Sequence, residues 1–169
     1  RGLFGYGKKH RRVPSTTPAR VQQAGNQVAL AAIVRRAALV EASRASSRVV
    51  WPSHDLAVTT RDDLAARLDD EAAGLVVVED VVTVVPVSEP VYQALMALRV
   101  AVVRDLTIRA ATAPRVSSAT LPKTLPALVA AYRLYGDARR DVDIISRNPR
   151  LVRHPGFVPG GVALEVLTR

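Results

Sequence analysis

The residue types that could do chemistry sit in a few short stretches. Ser53-His54-Asp55 joins a hydroxyl, an imidazole and a carboxylate, the three types of a nucleophilic triad. Neighbouring positions at a helix start, however, cannot bring nucleophile, base and orienting acid into line. Ser53 is therefore read as an N-cap and Asp55 as a favourable first-turn charge. Asp62, Asp63, Asp69, Asp70 and Glu71 form an acidic cluster that would attract a cation, but no Asp-x-Asp-x-Asp-Gly loop accompanies it. The cluster is expected to be a solvated face able to pair with basic helices. The three histidines stand far apart at His10, His54 and His154, and no ligand set assembles from their spacing. His154 precedes Pro155 in a turn and is read as bonding backbone. Gly5-Tyr6-Gly7-Lys8 lacks the flanking strand and glycine spacing of a phosphate loop. With no nucleophile–base pair or paired-carboxylate site, the expectation is a protein that is not an enzyme and uses no cofactor or metal.

Binding chemistry is better represented. Residues 1–20 hold Arg1, Lys8, Lys9, Arg11, Arg12 and Arg20 with no acid, which gives +6 of the chain's net +9. Residues 21–114 sum to −2 and residues 115–169 to +5. Both ends thus favour a negatively charged partner, either nucleic acid or the acidic surface of a neighbouring subunit. In the arm, Phe4 and Tyr6 interleave with Lys8, Lys9, Arg11 and Arg12, a pattern that could stack on single-stranded bases. The same residues could instead anchor an extended arm in a neighbour's groove. We prefer that reading, because a Gly- and Pro-rich segment has no pre-ordered surface for readout. Arg35 and Arg36, with Arg44 and Arg48, form either a solvated helix face or a basic stripe toward a partner; the first two join the arm residues as partner-binding candidates.

The elements that must position these groups are mostly helices. Hydrophobic residues make up 49% of the chain but aromatics only 4%, so the core must be built from Ala, Val and Leu. Such a core is thin per residue and favours dependence on partners. No cysteine is present, which excludes disulfides and thiolate chemistry. No apolar run reaches the length of a membrane helix, and residues 1–20 lack the apolar region of a signal peptide.

Residues 1–17 read as an extended basic arm and 18–112 as a helical domain. Thr17 caps a first helix that opens on Pro18 and runs to about Ser47. Ser53 caps a second, to about Ala73, with Leu56, Leu64 and Leu68 inward. Between them Val49-Val50-Trp51-Pro52 makes a turn sealed by the single tryptophan. Residues 75–87 are β-like, two valine runs with Glu79-Asp80 at a hairpin turn, and the exposed edge is expected to be covered or paired with another chain. Ser88 caps a third helix, to about Ala111, whose face is Val91, Leu95, Leu98, Val102, Leu106 and Arg109.

Residues 113–169 read as a β-α-α-β unit. Thr124 is expected to cap a helix that carries Leu128, Val129, Tyr132 and Tyr135 at helical spacing and ends at Gly136. Asp137 caps a second helix with Val142, Ile144 and Ile145 on its apolar face, stopped at Asn148-Pro149. Pro159-Gly160-Gly161 turns into a strand from Val162 to Leu167. Tyr132, Leu134, Tyr135, Phe157, Leu164 and Val166 are expected to form the core of this module.

The order helix, Tyr-Gly-Asp, helix, Asn-Pro, Pro-Gly turn and final strand resembles a LysM-type module. The span from about Thr17 to Leu167 also resembles the C-terminal part of the DNA-circularisation protein family of Mu-like phages. That match rests on Leu125-Pro126-Ala127-Leu128, Tyr132-Arg133-Leu134-Tyr135-Gly136-Asp137, Arg147-Asn148, the run from His154 to Gly161, and Leu164-Glu165-Val166-Leu167. Tyr92-Gln93-Ala94-Leu95 with Leu98-Arg99 supports it upstream. The valine segment departs from it. The resemblance implies a structural protein of a contractile phage tail, in the baseplate hub at the tip of the tube, located in the virion among other tail and baseplate proteins. Several copies in a symmetric assembly are expected. Family members are longer, so a chain beginning at Arg1 looks like their C-terminal part. The family name also implies binding at DNA ends, and the LysM pattern implies peptidoglycan. Against the latter, Leu121-Pro122-Lys123-Thr124 replaces the usual Gly-Asp-Thr at the first strand–helix turn.

Overall fold

The computed structural model of the chain describes residues 16–78 and 81–168. It is mainly helical, with two small antiparallel sheets of two strands each. The chain forms two compact units. One contains the described residues up to Val50 together with Ala57–Arg109. The other contains Trp51–Leu56 and continues from Ala110 to the end, so it is discontinuous in sequence. The early segment is tied in by the His54 N–H, which donates to the Pro114 carbonyl at 2.8 Å. A single boundary near residue 112 overlooks this, because the bond joins residues distant in sequence.

In the helical unit α1 spans Pro18–Arg48 and α2 spans His54–Ala72, with their caps where the sequence puts them. Thr17 Oγ1 accepts from Arg20 N–H and Ser53 Oγ accepts from Leu56 N–H, each at 3.4 Å. Strands β1, Leu75–Val78, and β2, Val81–Val84, pair antiparallel with Val78 opposite Val81, and α3 spans Glu89–Thr112. One cluster in this unit is Leu39, Leu68, Ala72 and Leu95, with Val91, Met96 and Leu98 packed around them, and Leu64, Val102 and Leu106 are buried too. Leu56, expected inward, is 48% exposed; the buried residue in that turn is Ala57. The stripe Ala57, Leu64, Leu68 and Ala72 follows the helical period, and Leu56 stands about 100° off it.

The second unit carries β3, Val116–Thr120, α4, Ala127–Tyr135, a 3₁₀ turn, Ala138–Arg140, α5, Asp141–Arg147, and β4, Ala163–Leu167. β3 and β4 pair antiparallel, Val116 opposite Leu167, so the first and last elements of the unit close on each other. Between them lies a larger core, including Leu121, Leu125, Tyr135, Ile144, Val158 and Leu164. Gly136 ends α4 with φ of 77°, the left-handed conformation that glycine enters without a Cβ clash, and its N–H bonds the Tyr132 carbonyl. Asp137 Oδ1 accepts from Arg139 N–H at 2.9 Å and so caps the 3₁₀ turn that leads into α5. Thr124 does not cap α4. The N-cap is Pro126, and Thr124 Oγ1 instead accepts from Gly160 N–H at 3.4 Å.

Candidate interaction surface

The residues that suggested catalysis are used for structure. Ser53 is buried, and its hydroxyl is committed to capping α2. His54 Nδ1 lies 3.1 Å from Asp55 Oδ1, a pair of sequence neighbours. His154 Nδ1 accepts the Gly156 N–H at 3.0 Å inside its own turn. Among the described residues, no three His, Asp or Glu side chains gather as a cation site.

Arg35 and Arg36 are engaged within the helical unit and do not form an open basic stripe. Arg35 is 3% exposed, and its Nε donates to Glu71 Oε2 at 2.9 Å; Arg36 Nε donates to Glu71 Oε1 at 3.0 Å. One buried carboxylate is thus gripped by two guanidinium groups from consecutive positions of α1. The physical reason lies in the helix period. Arg35 falls on the same stripe as Ala31 and Leu39, and Glu71 lies one turn from Leu68, so both charges point inward. A charge on an apolar stripe of each of two helices was the signal available in the sequence. The acidic cluster pairs further: Asp69 Oδ1 lies 2.6 Å from Arg99 Nε, and Asp63 Oδ2 accepts from Arg67 Nε at 2.9 Å. Phe4, Tyr6, Lys8, Lys9, Arg11 and Arg12 lie outside the described residues.

In the second unit the terminal pattern separates into two sets of residues. The first set closes the fold. Asn148, 5% exposed, donates through Nδ2 to the Ile144 and Glu165 carbonyls at 2.9 Å and accepts the Glu165 N–H through Oδ1 at 2.9 Å. This single side chain stitches the end of α5 to the middle of β4. The Tyr135 hydroxyl accepts the Leu167 N–H at 3.2 Å, and Arg140 stacks over its ring at 4.0 Å. Leu125 and Val158 exchange backbone hydrogen bonds at 3.0 and 2.8 Å, joining the connection before α4 to the one before β4. Gly160 lies so close to this junction that a Cβ would come within 2.4 Å of the Lys123 backbone, which explains a glycine there.

The second set faces out. Tyr135, Leu164 and Val166 are buried in the module core and Leu134 packs against it, but Tyr132 and Phe157 are 65% and 68% exposed. The inward stripe of α4 is Ala127, Ala130, Ala131 and Tyr135, small residues that let the helix lie close to the sheet. Leu128 and Tyr132, one turn apart, occupy the opposite side with Val129 and Arg133 beside them, all exposed. The Ala127 N–H donates to the Pro155 carbonyl at 2.7 Å, so the turn that carries Phe157 adjoins the start of α4. The Phe157 ring rests against His154, with centroids 5.6 Å apart. Lys123, Arg133, Arg150 and Arg153 are also exposed on this unit and form no ion pair among the described residues. Three of its acids stand at helix starts, Asp137 as a cap and Asp141 and Asp143 in the first turn of α5, while Glu165 lies in β4. Leu128, Tyr132 and Phe157 are thus exposed apolar and aromatic side chains on a unit that also exposes cations.

No helix of the described residues is long and apolar enough to cross a membrane. A scan against protein-family models finds no match, and neither does a search of curated proteins.

Proposed function

We propose that the chain is a structural component of a contractile phage tail, placed in the baseplate hub at the tip of the tail tube. There it joins tube, hub and surrounding baseplate proteins in several copies, and its second unit is a LysM-like module used for packing. One observation carries the reading: the terminal pattern closes the fold with residues such as Tyr135, Asn148 and Leu164 and holds Leu128, Tyr132 and Phe157 out in solvent. Exposed aromatic and aliphatic side chains held on a rigid frame are what a protein interface needs, since rings carry much of the binding energy when desolvated. The resemblance in sequence supplies the setting. A peptidoglycan role for the module is the weaker reading, because Leu121, where the glycine of the usual turn would stand, is buried in the core.

The test is to find the chain in a particle. Contractile tails purified from the producing strain and probed with antibody against the chain should be labelled at the tip. Averaged images should show a ring of copies around the tube axis. Tails that lack the chain, or a chain recovered only as a monomer on DNA, would overturn the proposal.

A further inference from the structure

Among the described residues, the first half of α1 has almost no interior to belong to. The helix is 31 residues long, about 46 Å at 1.5 Å per residue. Its buried residues begin only at Ala31, and from Pro18 to Leu30 every position is exposed except Ala24 and Val28, which are half-buried. Local preference does not favour that stretch as a helix. Gly25 lowers stability by about 1 kcal/mol relative to alanine, Asn26, Val21 and Val28 are also poor formers, and isolated helices of this length are marginal in water. The side-chain bond seen along it is Gln22 Nε2 to Asn26 Oδ1, at 3.1 Å.

Its surface chemistry is as unusual as its exposure. Residues 21–34 carry no charge and form the longest uncharged run in the sequence. Val21, Leu30 and Ile33 are 54%, 62% and 61% exposed. Val21 and Val28 lie on one side, and Leu30 stands on the other among Gln22, Gln23, Asn26 and Gln27. A groove of about 640 Å³ runs along the Val28 side, bounded by Gly25, Val28, Ala32, Ile33, Val85 and Pro86.

We infer that this half-helix is a self-association surface, occupied by the same segment of a second copy of the chain. Charge selects the occupant. Two copies of residues 115–169, which sum to +5, would set cations against cations, whereas the uncharged residues 21–34 meet without repulsion. Gln22, Gln23, Asn26 and Gln27 each carry both a donor and an acceptor, so the strip complements itself about a two-fold axis. Residues 21–34 offer no cation to an acidic or nucleic-acid partner, and Arg36, which also lines the groove, is already bound to Glu71. The inference names a surface for the multi-copy assembly proposed above and rests on that reading.

Because the chain has no cysteine, one introduced thiol reports contact between copies without ambiguity. Val28→Cys should give a disulfide-linked dimer under mild oxidation, whereas Val142→Cys, at a 66%-exposed site of the second unit, should stay largely monomeric. Val28→Lys should weaken self-association more than about tenfold, as like charges face each other. Mixing it with Val28→Glu should restore the pair, with circular dichroism confirming that both variants keep their helix. Linkage at Val28 no faster than at Val142, or no recovery on mixing, would overturn the inference. The chain's presence in tails is a separate readout. Tails without the chain alongside a Val28-linked dimer sink the tail reading and leave the surface standing; tails with the chain and no linkage do the reverse.

Discussion

The two units solve the problem of an aromatic-poor sequence in different ways. The second unit builds a continuous apolar core and then locks it with single polar side chains, Asn148 and Tyr135, each reaching a strand far away in sequence. The helical unit packs Leu39, Leu68, Ala72 and Leu95 together and also buries a carboxylate between two guanidinium groups. A core locked by neutral hydrogen bonds tolerates changes of charge and salt. One that contains an ion pair depends on every member, because removing a partner strands a charge in a medium that solvates it poorly. The lesson is that apolar content alone says little about which part of this chain is the sturdier.

The comparison can be broken most severely at Glu71. Glu71→Ala should destabilise the helical unit by about 3–5 kcal/mol, the range for taking one partner from a buried pair. Trp51, the single tryptophan, belongs to the second unit, so its fluorescence and far-ultraviolet circular dichroism weigh the units differently. In denaturant, the dichroism midpoint should fall further than the Trp51 midpoint. Equal movement of both probes would remove the contrast. Next comes Asn148→Ala, which leaves the Glu165 N–H and carbonyl without that side chain. At roughly 1–3 kcal/mol for each buried polar group left unpaired, the loss should be about 2–6 kcal/mol, and here the Trp51 midpoint should move more. Tyr135→Phe keeps the ring under Arg140 and deletes one hydroxyl, so a loss of about 1 kcal/mol is expected in the same transition.

How much of this was legible depended on whether the cause was local. The end of α4 at Gly136, the cap at Asp137, the stop at Asn148 and the last strand are all written in neighbouring residues, and the sequence placed them. The three long helices were legible for the same reason. The facing of α4 was not. Reasoning from hydrophobicity sends Leu128, Val129 and Tyr132 inward, but the helix packs through Ala127, Ala130 and Ala131 because only small side chains allow its close approach. Thr124 looked like a cap and was taken by Gly160, a contact across 36 positions. The Arg35–Glu71–Arg36 cluster was hidden because a charge is assigned to solvent by default. The outward residues that now form the candidate surface are those whose facing the sequence misassigned.

The smallest expected change in stability therefore carries the largest consequence. Tyr132→Ser with Phe157→Ser alters side chains that are 65% and 68% exposed, so the isolated chain should melt within about 0.5 kcal/mol of the parent for each change. If this surface is held out for a partner, the same double variant should fail to enter tails in a strain that lacks the parent chain. The decisive measurement is the amount of double variant recovered in purified tails, beside its melting curve. A parent-like melt with little variant in tails is the result predicted here. A parent-like melt with normal incorporation would contradict the account.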